Sequence, residues 1–180
     1  MARALTIPQL RKKIRELDDK ELENLLVHLY KNSIEAEQFI NLTILGEVRD
    51  QELLEKYRKK LYKAFYAESG LGMDFKLAKT ILKEYKRVSK SPTSYGELCL
   101  YFVDYATAYT DHFGDMWVEF YDTTARRFDE GITMLLEHPE LLEQYRQQVE
   151  DCFERSLGMG YGFEEMMADS YYQLELDDGK

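Results

Sequence analysis

"ELLEKYRKKLYKAF", residues 52–65, decides how this chain is read, because "ELLEQYRQQVEDCF" at residues 140–153 repeats its pattern 88 residues later. Seven of the fourteen positions are identical: Glu, Leu, Leu, Glu, Tyr, Arg and Phe. Leu53, Leu54, Tyr57, Leu61 and Phe65 share one face at helical spacing, as do Leu142, Tyr145, Val149, Cys152 and Phe153. The continuations also correspond. "YAESGLGMDF" (66–75) and "ERSLGMGYGF" (154–163) both contain Leu-Gly-Met, then a Phe that opens a further amphipathic stretch, with two extra residues before Leu71. A glycine just past the last helical turn takes the left-handed conformation that a Cβ disfavours. Each stretch therefore reads as helix, glycine turn, helix. The spacing is too long for a single solenoid repeat, so a duplication would join two three- or four-helix units. The other reading is two ordinary helices under a shared constraint.

Outward from this pair, nearly every segment carries apolar residues at helical spacing. Ile7, Leu10, Ile14 and Leu17 mark a first helix, and Asp18 with Glu21 forms a start signal for a second through Leu22, Leu25, Leu26 and Leu29. Ser33 caps a third, with Phe39, Leu42 and Leu45 on one face and Gly46 as its stop. Phe75, Ala78, Leu82, Tyr85 and Val88 follow the first echo, ending before "SKSPTS" at 89–94. Beyond it come an aromatic stripe (Leu98, Tyr101, Phe102, Tyr105, Tyr109, His112), a break at Gly114, and a long helix from Trp117 to Leu135. Pro139 opens the second echo, a last helix runs through Phe163, Met166, Met167, Tyr171 and Leu174, and the tail "LDDGK" frays. No run of alternating apolar residues requires a strand. The expectation is an all-α fold, about nine amphipathic helices in a helical-repeat-like bundle. Residues 1–180 form one domain, with 1–90 and 91–180 as candidate sub-units divided at the Ser/Pro stretch.

The formal net charge is −10, which disfavours broad binding to nucleic acid or an anionic membrane. It is unevenly placed: residues 1–90 carry 19 basic and 14 acidic side chains, residues 91–180 carry 5 and 20. The two halves are either differently charged solvated faces or mutually attractive surfaces, the second giving a homo-oligomer. Cys99 and Cys152 stand in no metal or redox spacing. No apolar run approaches about 18 residues, and the start lacks a signal core, so a cytoplasmic protein with reduced thiols is expected.

Candidate chemistry is sparse. "GMGYGF" (158–163) resembles a phosphate loop, but a helix precedes it, and Glu164 and Glu165 already occupy the next first turn, where they would repel an anion. His28, His112 and His138 each lack the Glu three residues upstream that helical carboxylate metal sites use. Asp115, Glu119 and Asp122 share a helical face and suit a hard cation or a basic partner, or simply solvent. Tyr101, Tyr105, Tyr109 and His112 form an aromatic ladder with polar tips, suited to a core or to a groove for a peptide or small ligand. Asp111 and His112 are adjacent and so point apart on a helix. The basic stripes "RKKIR" (11–15) and "KYRKKLYK" (56–63) read as solvated faces. No nucleophile motif is present, and no catalytic residue, cofactor or metal is indicated.

The order of features also resembles a known family. It is carried by "IRELDDKELENLLVHLYKNS" (14–33), "KEYKRVSKSP" (83–92), "LYFVDYATAYTDHFGD" (100–115), "WVEFYDTTARRF" (117–128) and "GMGYGFEEMMADSYYQL" (158–174). Together these resemble a bacterial family of small helical proteins catalogued only as a domain of unknown function. The resemblance implies an all-helical cytoplasmic bacterial protein and no catalytic residue. The chain departs from that family's more basic link at "AESGLGMDF" (67–75).

The functional expectation is a non-enzymatic module binding a protein or peptide through Tyr101, Asp104, Tyr105, Tyr109, Asp111, His112, Asp115 and Glu119. The alternative is a small-ligand- or metal-binding protein, or an enzyme, using buried carboxylates and tyrosines.

Overall fold

A computed structural model describes residues 5–45, 47–66, 72–89 and 91–177. Within them the chain is all-α, with no strand. The helices are α1 (Ile7–Ile14), α2 (Asp19–Asn32), α3 (Ile34–Leu45), α4 (Glu47–Phe65), α5 (Phe75–Val88), α6 (Pro92–Phe113), α7 (Val118–Glu137), α8 (Leu142–Ser156) and α9 (Phe163–Asp177). A one-turn 3₁₀ helix, Pro139–Leu141, leads into α8. Gly46, the whole 67–71 link, Lys90 and the last three residues of the tail lie outside the described residues, so the stop read at Gly46 is not addressed.

The helix boundaries follow local chemistry. Asp18 caps α2: its Oδ1 accepts from the Glu21 N–H at 2.8 Å, and Glu21 Oε2 accepts from the Asp18 N–H at 3.0 Å. Asp74 caps α5 by accepting from the Leu77 N–H at 2.8 Å. Ser91 caps α6 by accepting from the Ser94 N–H at 3.1 Å, and Pro92 fills the first helical position, where its missing donor costs nothing. Gly114, at φ +89°, stops α6.

The chain divides into two compact units, residues 1–46 and 47–180. The Ser/Pro stretch is therefore inside the second unit, because α5 and α6 on either side of it pack together, and α4 packs on both. In the first unit α2 packs against α3. No residue of α1 or α2 is buried.

The second unit holds the hydrophobic core. α6 is its spine and packs against α4, α5, α7 and α8, while α9 closes over α7 and α8. Phe65, Phe102, Phe120, Phe128 and Phe163 are fully enclosed. Phe65 meets Phe102 edge-on at 5.2 Å, and Phe75 meets Phe120 at 4.9 Å. The α6–α7 crossing is close because glycines sit on both sides. A Cβ on Gly96 would lie 2.4 Å from Met134 Cβ, and one on Gly131 would lie 2.4 Å from Leu100 Cδ2.

The echo is matched by burial. Leu53 and Leu54, Tyr57, Leu61, Ala64 and Phe75 are buried in the first copy. In the second, Tyr145, Val149, Cys152 and Phe163 are buried at the equivalent positions. Both α4 and α8 lay this face on α6. Gly72 and Gly158, the central residues of the two Leu-Gly-Met turns, have φ of +84° and +76°. The match is partial: Tyr57 and Tyr145, and Phe75 and Phe163, are buried alike, whereas Leu141, Leu142 and Phe153 are only half-buried where Leu53, Leu54 and Phe65 are enclosed.

Candidate functional site

The α6 stripe emerges from the core as it descends the helix. Glu97 is 4% exposed, Tyr101, Tyr105 and Tyr109 are half-buried, and Phe113 is 58% exposed. Four-residue spacing keeps the five on one face, but that face turns slowly about the helix axis. α4 and α8, the two echoing helices, flank it. From α4, Arg58 lies 4.9 Å from the Tyr101 ring centroid, Tyr62 meets Tyr105 at 5.5 Å, and Tyr66 meets Tyr109 at 6.0 Å. From α8, Tyr145 meets Tyr101 at 6.3 Å, and Arg155 Nη1 donates to Asp104 Oδ1 at 2.8 Å. The result is a shallow trough floored by tyrosines. Burial pushes the Tyr105 hydroxyl up to about 12, against the pull of Arg58.

The eight residues expected to form one site fall into two places. Tyr101, Asp104, Tyr105 and Tyr109 belong to the trough. Asp111 and His112 are exposed at the end of α6, where His112 rests edge-on against Phe113 at 4.5 Å. Asp115 and Glu119 already have partners: Tyr121 donates to Asp115 Oδ1 at 2.8 Å, and Lys79 donates to Glu119. That bond from Lys79 holds the Glu119 carboxyl below its ordinary range. Asp115 also precedes α7 rather than lying on it. Trp117 is the extended N-cap residue, so Asp115 shares no helical face with Glu119 and Asp122.

Beneath the start of the stripe lies a buried polar network. Asp50 of α4 accepts hydrogen bonds from Ser89 Oγ at 3.1 Å and from Ser94 Oγ. Glu97 accepts from the Tyr145 hydroxyl. Burial raises the Glu97 carboxyl above the ordinary value of 4.5, and the Asp50 carboxylate adds to the rise, against hydrogen bonds from Tyr145 and Gln51. The Tyr85 hydroxyl is enclosed near Ser89 and Ser94, yet makes no hydrogen bond of normal geometry with either. Folding therefore favours the protonated Glu97. Its contribution is full below the unfolded value near 4.5 and is lost as pH rises through the folded one. Glu97→Gln keeps an acceptor for Tyr145 and cannot ionise. It should be more stable than wild type at pH 8, and the gap should close toward pH 4. Melting curves across that range check this, and a gap that widens on acidification contradicts it.

A second concavity, of about 400 Å³, lies among the end of α5, the first turn of α6 and the end of α7, and includes Lys86, Thr93, Tyr95, Glu130, Glu137 and His138. Thr93 Oγ1 and His138 Nε2 are 3.0 Å apart, and Glu140 Oε1 is 3.1 Å from His138 Nδ1. This has the order of a hydroxyl–imidazole–carboxylate relay. It lacks the paired backbone donors such chemistry needs. Pro92 has no N–H, and the Ser94 and Tyr95 N–H groups are taken by Ser91. The arrangement joins the C-cap of α7 to the first turn of α6.

Other sequence candidates resolve simply. In the glycine-rich link, the Gly158 N–H is bound by Glu164 Oε2 at 2.7 Å, so the first turn of α9 supplies the link's own anion. Cys99 and Cys152 are free and buried, and burial pushes both thiols far above their ordinary range. Among the described residues no three His, Cys, Asp or Glu side chains gather where they could hold a metal ion. Nor is any helix there long and apolar enough to cross a membrane.

The fold and the trough define a small all-helical protein with a tyrosine-floored surface. No family model, no curated protein and no solved structure matches the chain.

Proposed function

We propose that this chain is a non-enzymatic interaction module whose trough between α4 and α8 receives a helical peptide segment of a protein partner. One observation carries the reading: the tyrosines of α4 and α6 touch one another along a half-exposed strip instead of being sealed in the core, and Tyr62 is 51% exposed. Tyrosine is enriched at binding hot spots, because it offers a large contact area at small entropic cost. Rings at successive turns suit the i, i+4, i+7 anchors of an amphipathic helix. Charge selects its polar side. Lys59 and Lys63 precede Tyr62 and Tyr66 by three positions on α4, and Arg58 lines the same wall. The partner segment is therefore apolar on one face and acidic beside it. The likeness to the bacterial helical family belongs to this proposal too, and rests on the order of motifs alone.

Selection of displayed random peptides against the intact protein tests this. The expected winners carry apolar residues at helical spacing with flanking Asp and Glu. Tyr62→Ala should weaken their binding at least about tenfold, as a hot-spot truncation does, with the melting temperature unchanged. Failure to enrich any such peptide, or winners indifferent to Tyr62→Ala, would overturn the reading.

A further inference from the structure

We propose that two copies of the chain pair through residues 5–45 by exchanging α1, the apolar stripe of each α1 seating in the α2–α3 groove of the other copy. That groove encloses about 680 Å³, and its lining is apolar apart from Asp19, Glu23 and Thr43, with Leu22, Leu26, Val27, Tyr30, Phe39 and Ile44 among its walls. In the same chain α1 carries Ile7, Leu10 and Ile14, spaced by three and four positions along one face. No residue of α1 is among those that line the groove. Ile7 of α1 is 65% exposed and Ile44 of the groove 74%. A unit of 46 residues is near the lower limit at which a chain buries enough surface to hold itself together, and here no residue of α1 or α2 is buried.

Charge identifies the occupant. Asp19 and Glu23 stand one turn apart in the groove. Arg11 and Arg15 stand one turn apart along one edge of the α1 stripe. Residues 1–46 hold seven basic and seven acidic side chains, so two copies meet here without net repulsion, although the whole chain carries −10. An open groove and an unseated helix that fits it, in one polypeptide, are both filled when two copies swap reciprocally, and a two-fold pair repeats the contact in each direction.

Light scattering of the intact protein over a concentration series should report twice the 21.3 kDa chain mass. Leu26→Glu should reduce it to a monomer while residues 47–180 keep their melting transition. Charge reversal identifies the exchange. Asp19→Lys/Glu23→Lys places a basic α1 against a basic groove, and Arg11→Glu/Arg15→Glu places an acidic α1 against an acidic one. Each variant alone should be monomeric, and an equimolar mixture should form a heterodimer. Seating of each α1 in its own groove predicts a monomeric wild type, which would overturn the proposal. So would a dimer indifferent to Leu26→Glu, or a mixture that stays monomeric.

Discussion

Gly96→Ala is expected to destabilise residues 47–180 by about 2 kcal/mol, lowering their melting temperature by roughly 4–8 °C. The added methyl would stand 2.4 Å from Met134 Cβ and 2.6 Å from Met134 Cγ. Cβ is fixed to the backbone, so the strain falls on the α6–α7 separation rather than on a rotamer. Alanine's better helix propensity returns only about 1 kcal/mol of the cost. Met134→Ala should not rescue the variant, because it leaves that Cβ in place. Gly131→Ala should cost less, since the atoms it meets, Leu100 Cδ2 and Cγ, belong to a side chain that can turn. Thermal and urea denaturation of the three variants checks the order. A Gly96→Ala protein as stable as wild type would mean that α6 and α7 do not cross as closely as described.

Arg127→Met should cost about 2 kcal/mol, and adding Glu130→Met should return much of that loss. Arg127 Nη1 donates to the Tyr95 hydroxyl at 2.8 Å and to Glu130. Tyr95 and Cys99 donate to the same Glu130 oxygen at 3.2 and 3.4 Å. Removing the guanidinium leaves a half-buried carboxylate with two neutral donors and no counter-charge. The Arg127 and Glu130 side chains are 19% and 30% exposed, so water softens the penalty below that of a fully buried pair. Double-mutant-cycle denaturation measures the coupling, and strictly additive losses would rule it out.

Helical periodicity made most of the fold legible before any coordinates. The Asp18–Glu21 cap and the paired Leu-Gly-Met turns are local signals, each complete within four residues. The division at residue 46 was not legible, and the Ser/Pro stretch misleads because it breaks the helix without breaking the packing. Gly96 and Gly131 were also missed. A glycine inside a helical pattern reads as a weak spot, and nothing local says that another helix lies against it. The trough was half visible. Periodicity placed Tyr101, Tyr105 and Tyr109 on one face, but Tyr62 and Tyr66 meet them only through tertiary packing. A usable clue was overlooked: Glu97 sits one turn before Tyr101, so the aromatic stripe extended backward reaches a buried acid. Asp50, which completes that network, is 39 and 44 positions from Ser89 and Ser94 and carries no sequence signal of the link.

The position of α6 as spine has a bearing on synthesis. Ribosomes deliver the chain from its N-terminus, and domains begin to assemble as they emerge. When α4 and α5 leave the exit tunnel they can pair with each other, yet Phe65 and Phe75 still lack Phe102, the α6 ring each meets in the finished protein. Half the polypeptide must be made before that surface arrives. Once α6 is out, α7 and α8 follow onto a helix already held from one side. The nascent form with α4 and α5 outside and α6 still in the tunnel leaves the Phe65 and Phe75 rings without Phe102, and a translational pause at that stage would prolong it.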